Sequence, residues 1–301
     1  MPAEVHKAPV TGRIYVTLSK DRQNRARLQR SLGHQPVVKG RGVPFFGVDV
    51  EALRPGGVAA IDSSTLGYPY STLGVVPEGN YYLQAILNVY TQCRRADGHV
   101  IWVPMDQWEG QHFGWSPGNY ISSTKRARLD PSRDYTIRLR VDKKIPPVEI
   151  PKDTTWVRRI KFQSEKLSRF WGRPMYLGAT VLLPRGYDEH PDVRYPAIYI
   201  QGHFSLQAPF GFTTKQGKDS AAAREQRRLR NQETGYRFQK AWRSDGFPRM
   251  VAVTFQHPTP YFDDSYAVNS ANNGPYQDAI MEELIPRLEK EFRLIPKGYA
   301  R

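Results

Sequence analysis

Tyr195-Pro196-Ala197-Ile198-Tyr199-Ile200-Gln201-Gly202-His203 is the stretch on which the reading of this chain turns. Six residues run without a charged or amide side chain, and Gln201-Gly202 ends the run. That is the pattern of a short strand buried on both faces of a parallel sheet. Tyr176 to Leu183 before it and Met250 to Phe255 after it read as two more strands. Between the last two lies Ser220 to Trp242, expected to be helical because Ala221-Ala222-Ala223 are strong helix formers. A final helix is predicted over Gln277 to Phe292, where Ile280, Leu284, Ile285, Leu288 and Phe292 recur at three- and four-residue spacing. Strands alternating with helices predict an α/β layer architecture for residues 175–301.

Upstream the alphabet changes. Runs rich in β-branched and aromatic residues occur at Arg13 to Leu18, Val43 to Val50, Gly57 to Asp62, Tyr81 to Tyr90, Val100 to Val103, Ile121 to Leu129 and Tyr135 to Val141, with turn formers between them. In Tyr135-Thr136-Ile137-Arg138-Leu139-Arg140-Val141 apolar and polar residues alternate strictly, which predicts a half-buried strand. About seven strands and no convincing helix predict an all-β, immunoglobulin-like sandwich over 1–150. The proline-rich Ile145-Pro146-Pro147-Val148-Glu149-Ile150-Pro151 opens a semi-rigid joint, and 151–174 reads as a linker. The expected fold class is therefore a two-domain chain, β-sandwich first and α/β second.

Composition agrees with packed domains. The 301 residues are 39% hydrophobic, with 13 Phe, 17 Tyr and 6 Trp, which excludes wholesale disorder. No apolar run approaches the ~18 residues of a membrane span. The lone Cys93 excludes an internal disulfide framework. Met1-Pro2-Ala3-Glu4-Val5-His6 has neither the basic head nor the apolar core of a signal peptide, which leaves the compartment undecided.

A literal Gly-x-Ser-x-Gly stands at Gly114-Trp115-Ser116-Pro117-Gly118. A serine-hydrolase elbow needs the residue after the serine to donate its N–H to the oxyanion, and Pro117 has none, so this motif reads as a loop between strands. The strand ending at Gln201-Gly202-His203-Phe204 is more informative. The N–H of His203, just past Gly202, is a candidate oxyanion donor. A strand-terminating glycine followed by a packed histidine is the other reading of the same residues.

Tyr176-Leu177-Gly178-Ala179-Thr180-Val181-Leu182-Leu183-Pro184, Gly186-Tyr187 and the Tyr195 to His203 stretch resemble the opening of the esterase D and enterochelin esterase branch of α/β-hydrolases. Asp263-Asp264-Ser265-Tyr266, Asn269 and the helix around Ala279 to Pro286 resemble the segments preceding the nucleophile in that family. The resemblance covers roughly 175–301, with a basic insertion at about 205–249. It implies a serine carboxylic-ester hydrolase working through an acyl-enzyme, with Gly202 and His203 in the oxyanion hole and Phe204, Asp263 and Asp264 at the substrate. It also implies that the nucleophile, acid and histidine come after the last helix. Here the chain stops at Arg301, so those three are expected beyond it, and the chain is read as an inactive fragment of a longer hydrolase.

An internal triad from Ser205, His203, His257 and Asp263 or Asp264 is not expected, because nothing orients a base on a serine there. No metal is expected: His99, Asp106 and His112 are near one another in sequence but lack His-x-x-x-His or Cys-x-x-Cys spacing. No cofactor is expected, since Gly40-Arg41-Gly42 is no phosphate loop. The net charge is +15, and Lys215 to Arg249 contributes ten Lys/Arg against four acids, a net +6. This segment reads as a solvated insertion over a substrate cleft that favours an anionic small-molecule ester. No membrane partner is expected, and nucleic acid is disfavoured because no nucleic-acid module is present. Of Tyr81, Tyr82, Trp102, Trp108, Phe113 and Trp115, most are expected in cores, with the Trp102 to Gly118 loop the candidate for exposed sugar stacking. The alternative function is a non-catalytic carbohydrate- or polyanion-binding module.

Overall fold

The computed structural model describes residues 6–20, 43–104, 108, 114, 116–130, 132–133, 136–217, 225, 227–229 and 232–301. These fall into two compact units. The first takes its residues from 1–94, 98–148 and 259–263, and the second from 95–97, 149–258 and 264–301. The structure is sheet-rich with few helices, and most strand pairs are antiparallel. No helix among the described residues is long and apolar enough to cross a membrane.

In the first unit, β1 (Val10–Ser19), β2 (Phe45–Leu53), β3 (Gly67–Tyr68), β4 (Gly79–Arg94), β6 (Tyr120–Ser122) and β8 (Val141–Lys144) run in the order β3-β2-β1-β4-β6-β8. The sixteen-residue β4 is the hub. It pairs with β1 along one edge, and with β6 and with β7 (Lys125–Leu129) on the opposite edge, while its last residues pair with β5 (Val100–Pro104). Two apolar clusters fill this unit, one on Leu18, Phe46, Tyr81 and Leu83, the other on Val10, Ala85, Leu87 and Tyr120.

Three strand expectations need correction. Ile121 to Leu129 is two strands, β6 and β7. Gly57 to Asp62 joins no ladder. Nor do Thr136 to Arg140, although Ile137 and Leu139 pack on the core clusters while Thr136, Arg138 and Arg140 are exposed. Alternation reports which side chains are buried, and extended backbone satisfies it without a hydrogen-bonded neighbour. Gly40-Arg41-Gly42, Asp106, His112, Phe113, Trp115 and Tyr135 lie outside the described residues.

The second unit is built on a four-stranded sheet ordered β11-β12-β10-β9, from β9 (Val157–Ser164), β10 (Met175–Leu182), β11 (Ala197–Ile200) and β12 (Val251–Gln256). Residues 157–171, expected as linker, carry β9 and helix α1 (Glu165–Trp171). Arg158, Arg159 and Lys161 disguise the strand, which β10 pairs along its whole length. Ser164 caps α1 by accepting from the Leu167 N–H, and Gly172 closes it at φ 62°, a left-handed conformation that favours glycine.

β11 and β12 are parallel, and the other two pairings are antiparallel. β11 is an edge strand with Ile198 exposed, so the expected burial of both its faces does not hold. Between β11 and β12, Glu225 and Arg227 to Leu229 are helical, the chain leaves the helix at Gln232 to Thr234, and α2 (Gly235–Trp242) begins under the Thr234 cap. Trp242 donates its indole N–H to Leu183 O at 2.8 Å and packs with Phe212, Leu182 and Ala252, tying α2 to the sheet.

The last helix is three pieces: α3 (Tyr276–Ala279), a π-helical turn at Ile280–Leu284, and α4 (Ile285–Glu291). Pro286 has no N–H to continue the α ladder. The wider turn before it, in which the Ile285 N–H donates to Ile280 O, carries the chain past that gap.

Candidate functional site

Loops leaving the C-terminal ends of adjacent parallel strands are where open α/β sheets collect ligand-binding groups. The ends of β11 and β12 lead directly into Gln201-Gly202-His203 and into His257. The first loop is firmly held. Gln256, buried in β12, donates through Nε2 to Ser205 O at 2.7 Å and to Thr180 Oγ1 on β10 at 2.9 Å. Arg159 on β9 donates to Leu206 O through Nε (3.4 Å) and Nη2 (3.2 Å). Burial lowers the pKa of Arg159, opposed by Asp153 at 3.8 Å. Side chains from two strands, β12 and β9, thus grip the backbone carbonyls of Ser205 and Leu206, and Thr180 on β10 steadies the Gln256 amide.

Within that loop His203 is 68% exposed through its side chain, and its Nδ1 lies 2.8 Å from Oδ2 of Asp264, which is only 6% exposed. The buried carboxylate holds the imidazole, and a ring bonded through Nδ1 turns Nε2 away from its anchor. The other carboxylate oxygen, Oδ1, accepts from the Tyr266 N–H at 2.9 Å, so Asp264 also closes a turn. That turn puts two successive non-glycine residues, Tyr266 (φ 52°) and Ala267 (φ 49°), in the left-handed region. Such conformations cost roughly 1 kcal/mol or more each and persist only where side-chain bonds over-determine them.

The second strand end is different. His257 is 1% exposed and Ser265 3%. The Ser265 N–H donates to His257 Nδ1 at 3.0 Å, so Nδ1 is the acceptor and the ring proton sits on Nε2. Ser265 Oγ, 2.9 Å from the same nitrogen, therefore also donates to it, and itself accepts from the Ala267 N–H at 3.1 Å. This is a serine oriented on a histidine, at Ser265 and not at the Ser205 considered for an internal triad. Both are sealed from solvent, so the contact staples the turn. It was not legible from spacing, because an eight-residue separation across a loop has no period to detect.

Gly202 is exposed, and a Cβ there would meet nothing within 4 Å. Phe204 is half-buried, and Ser205 Oγ accepts from the Gln207 N–H at 3.1 Å. Asp263 is half-buried and falls with the first unit. Of the expected site residues, the second unit thus brings His203 and Asp264 into contact. Tyr199 on β11 stacks on Phe255 of β12, ring centroids 5.3 Å apart. Burial, with Glu289 adding and Arg301 opposing, pushes its phenol up to about 12. In the first unit Ser116 is buried in the loop between β5 and β6, as its reading as a loop residue requires. Tyr81 and Trp108 are buried and Trp102 is exposed.

No family model matches the chain, and no curated protein matches it. Among solved structures, a ferulic acid esterase is similar over 48% of this chain at 16% identity, with a TM-score of 0.30. The match spans 47% of that esterase, about half its length.

Proposed function

We propose that residues 149–301 are the oxyanion-loop half of a serine carboxylic-ester hydrolase of the α/β-hydrolase type, preceded by a β-sandwich domain. The observation that carries this reading is His203, which follows the edge strand of a parallel pair on a loop gripped by Gln256 and Arg159 and is anchored by the buried Asp264. The Leu183-Pro184, Gly186-Tyr187 and Gly202-His203 phrases that resemble the esterase D branch support it independently.

In this reading a serine attacks the ester carbonyl while a histidine removes its proton. The carbonyl oxygen becomes an anion in the tetrahedral intermediate, held by the backbone N–H of His203 and by the N–H following the serine. Open space above Gly202 admits the substrate to that N–H. Phe204 and Asp264 line the approach. Neither Ser265, which is sealed, nor Ser205, whose Oγ bonds within its own loop, suits the nucleophile's part, which falls to a serine outside these residues.

The test offers p-nitrophenyl acetate and butyrate to the 301-residue chain and to the product of its whole reading frame. The expected result is turnover only from a longer product, abolished by replacing the serine of a Gly-x-Ser-x-Gly elbow. In that product His203→Pro, which deletes the N–H, lowers kcat about 10²–10³-fold. His203→Ala, which keeps the N–H, does not. Equal effects of these two variants, or turnover lost with Ser265→Ala while the fold is intact, would sink the assignment.

A further inference from the structure

The basic insertion contains a cleft separate in composition from the loop just described. Its volume is about 1070 Å³, at the upper end for a small-molecule site. Its geometry depends on a close backbone approach. A Cβ on Gly235 would lie 1.6 Å from Gly211 O, so only glycine lets α2 start there. Phe210, just before Gly211, is half-exposed in a left-handed conformation at φ 56°, its ring 5.0 Å from that of Phe238. A non-glycine residue held at positive φ costs energy, and here it leaves an aromatic face partly exposed at the lip of the cleft.

The lining carries four cations, Lys215, Arg227, Arg237 and Lys240, against one carboxylate, Glu233. Lys215, Arg237 and Lys240 are exposed and form no ion pair among the described residues. Lys240 Nζ sits 4.8 Å from the centroid of the Tyr236 ring. Thr213, Gln216 and Gln232 add hydroxyl and amide groups that both donate and accept. Three chemistries therefore meet: cations for carboxylates, amides and hydroxyls for alcohol groups, and aromatic faces for apolar ring surfaces. A polyanion held by charge alone would use the cations and leave the amides and the aromatic faces idle. A ring bearing one carboxylate and several hydroxyls uses all three.

We propose that this cleft binds an acidic oligosaccharide, a short chain of uronic acid units. The inference does not rest on the hydrolase reading, and its test measures binding alone. The 301-residue chain is titrated calorimetrically with a galacturonic acid trimer, with the neutral galactose trimer and with a heparin hexasaccharide. Saturable binding of the galacturonate trimer is expected, at least tenfold tighter than that of the neutral trimer. Lys215→Gln with Arg237→Gln weakens it tenfold or more with the melting temperature unchanged, because both side chains are exposed. At the half-buried Tyr236, Tyr236→Phe, which keeps the ring, retains binding, while Tyr236→Ala weakens it threefold or more. Absence of heat at millimolar galacturonate overturns the proposal, as does equal binding of the neutral trimer. So does heparin binding that outcompetes galacturonate and ignores Tyr236→Ala, which would reduce the cleft to a charged surface.

Discussion

The two parallel strands of the second unit each lead to a histidine, three residues past the end of β11 and directly after β12, and the two histidines have opposite fates. His203, after the edge strand β11, is exposed and held by a carboxylate. His257, after the inner strand β12, is sealed and held by a serine. The strand's place in the sheet decides the difference. An inner strand delivers its next residue into packed surroundings, where the ring is held through Nδ1 by both donors of Ser265. An edge strand delivers it to water, where the ring can meet a ligand and a buried acid is needed to give it one orientation. The same residue type is thus a buried fastener in one place and an exposed ring held by a carboxylate in the other.

The comparison predicts graded losses of stability, measurable by urea unfolding. His257→Ala is expected to cost ~3 kcal/mol, since it opens a cavity and strands the Ser265 N–H and hydroxyl. His203→Ala should cost no more than ~1 kcal/mol, the worth of its one contact with Asp264. Similar losses from both would erase the distinction between the strand ends. Ser265→Ala is expected to cost ~1.5 kcal/mol, by removing one donor to His257 and the acceptor of the Ala267 N–H. A neutral result would mean that the left-handed pair Tyr266-Ala267 needs no such staple.

Smaller effects sharpen the picture. A double-mutant cycle of Asp264→Asn with His203→Gln should give a coupling of about 0.5–1 kcal/mol, modest because one partner is exposed. A coupling near zero would show that the carboxylate serves only the turn at Tyr266. Gly202→Ala, with open space above it, should leave stability within ~0.5 kcal/mol of the parent chain. A larger loss would mean that the loop lies closer to its surroundings than the structure has it.

Apolar runs announced β1, β2, β4, β5, β10, β11 and β12, because each has a face that must leave water. They misjudged Thr136 to Arg140 and Gly57 to Asp62, where burial occurs without a ladder, and missed β9, whose pairing with β10 outweighs its charged residues. The last helix was plain from its stripe, but its π turn depends on how one proline is accommodated. At the site, Gly202, His203 and Asp264 stood out through local context, whereas the grip of Gln256 and Arg159 on the loop did not. Such bonds join residues 47 and 51 positions apart, beyond any spacing rule.

The amino-acid sequence alone determined that this chain packs strands in its first half and strands with helices in its second, because hydrophobic periodicity is a local property that survives without knowledge of neighbours. Only the tertiary structure decided that His203 belongs to Asp264, that Ser265 is locked on His257, and that Gly211 against Gly235 shapes a cationic cleft. Those pairings depend on which distant backbones come within hydrogen-bonding or van der Waals reach, and the chain acquires that information only when it folds.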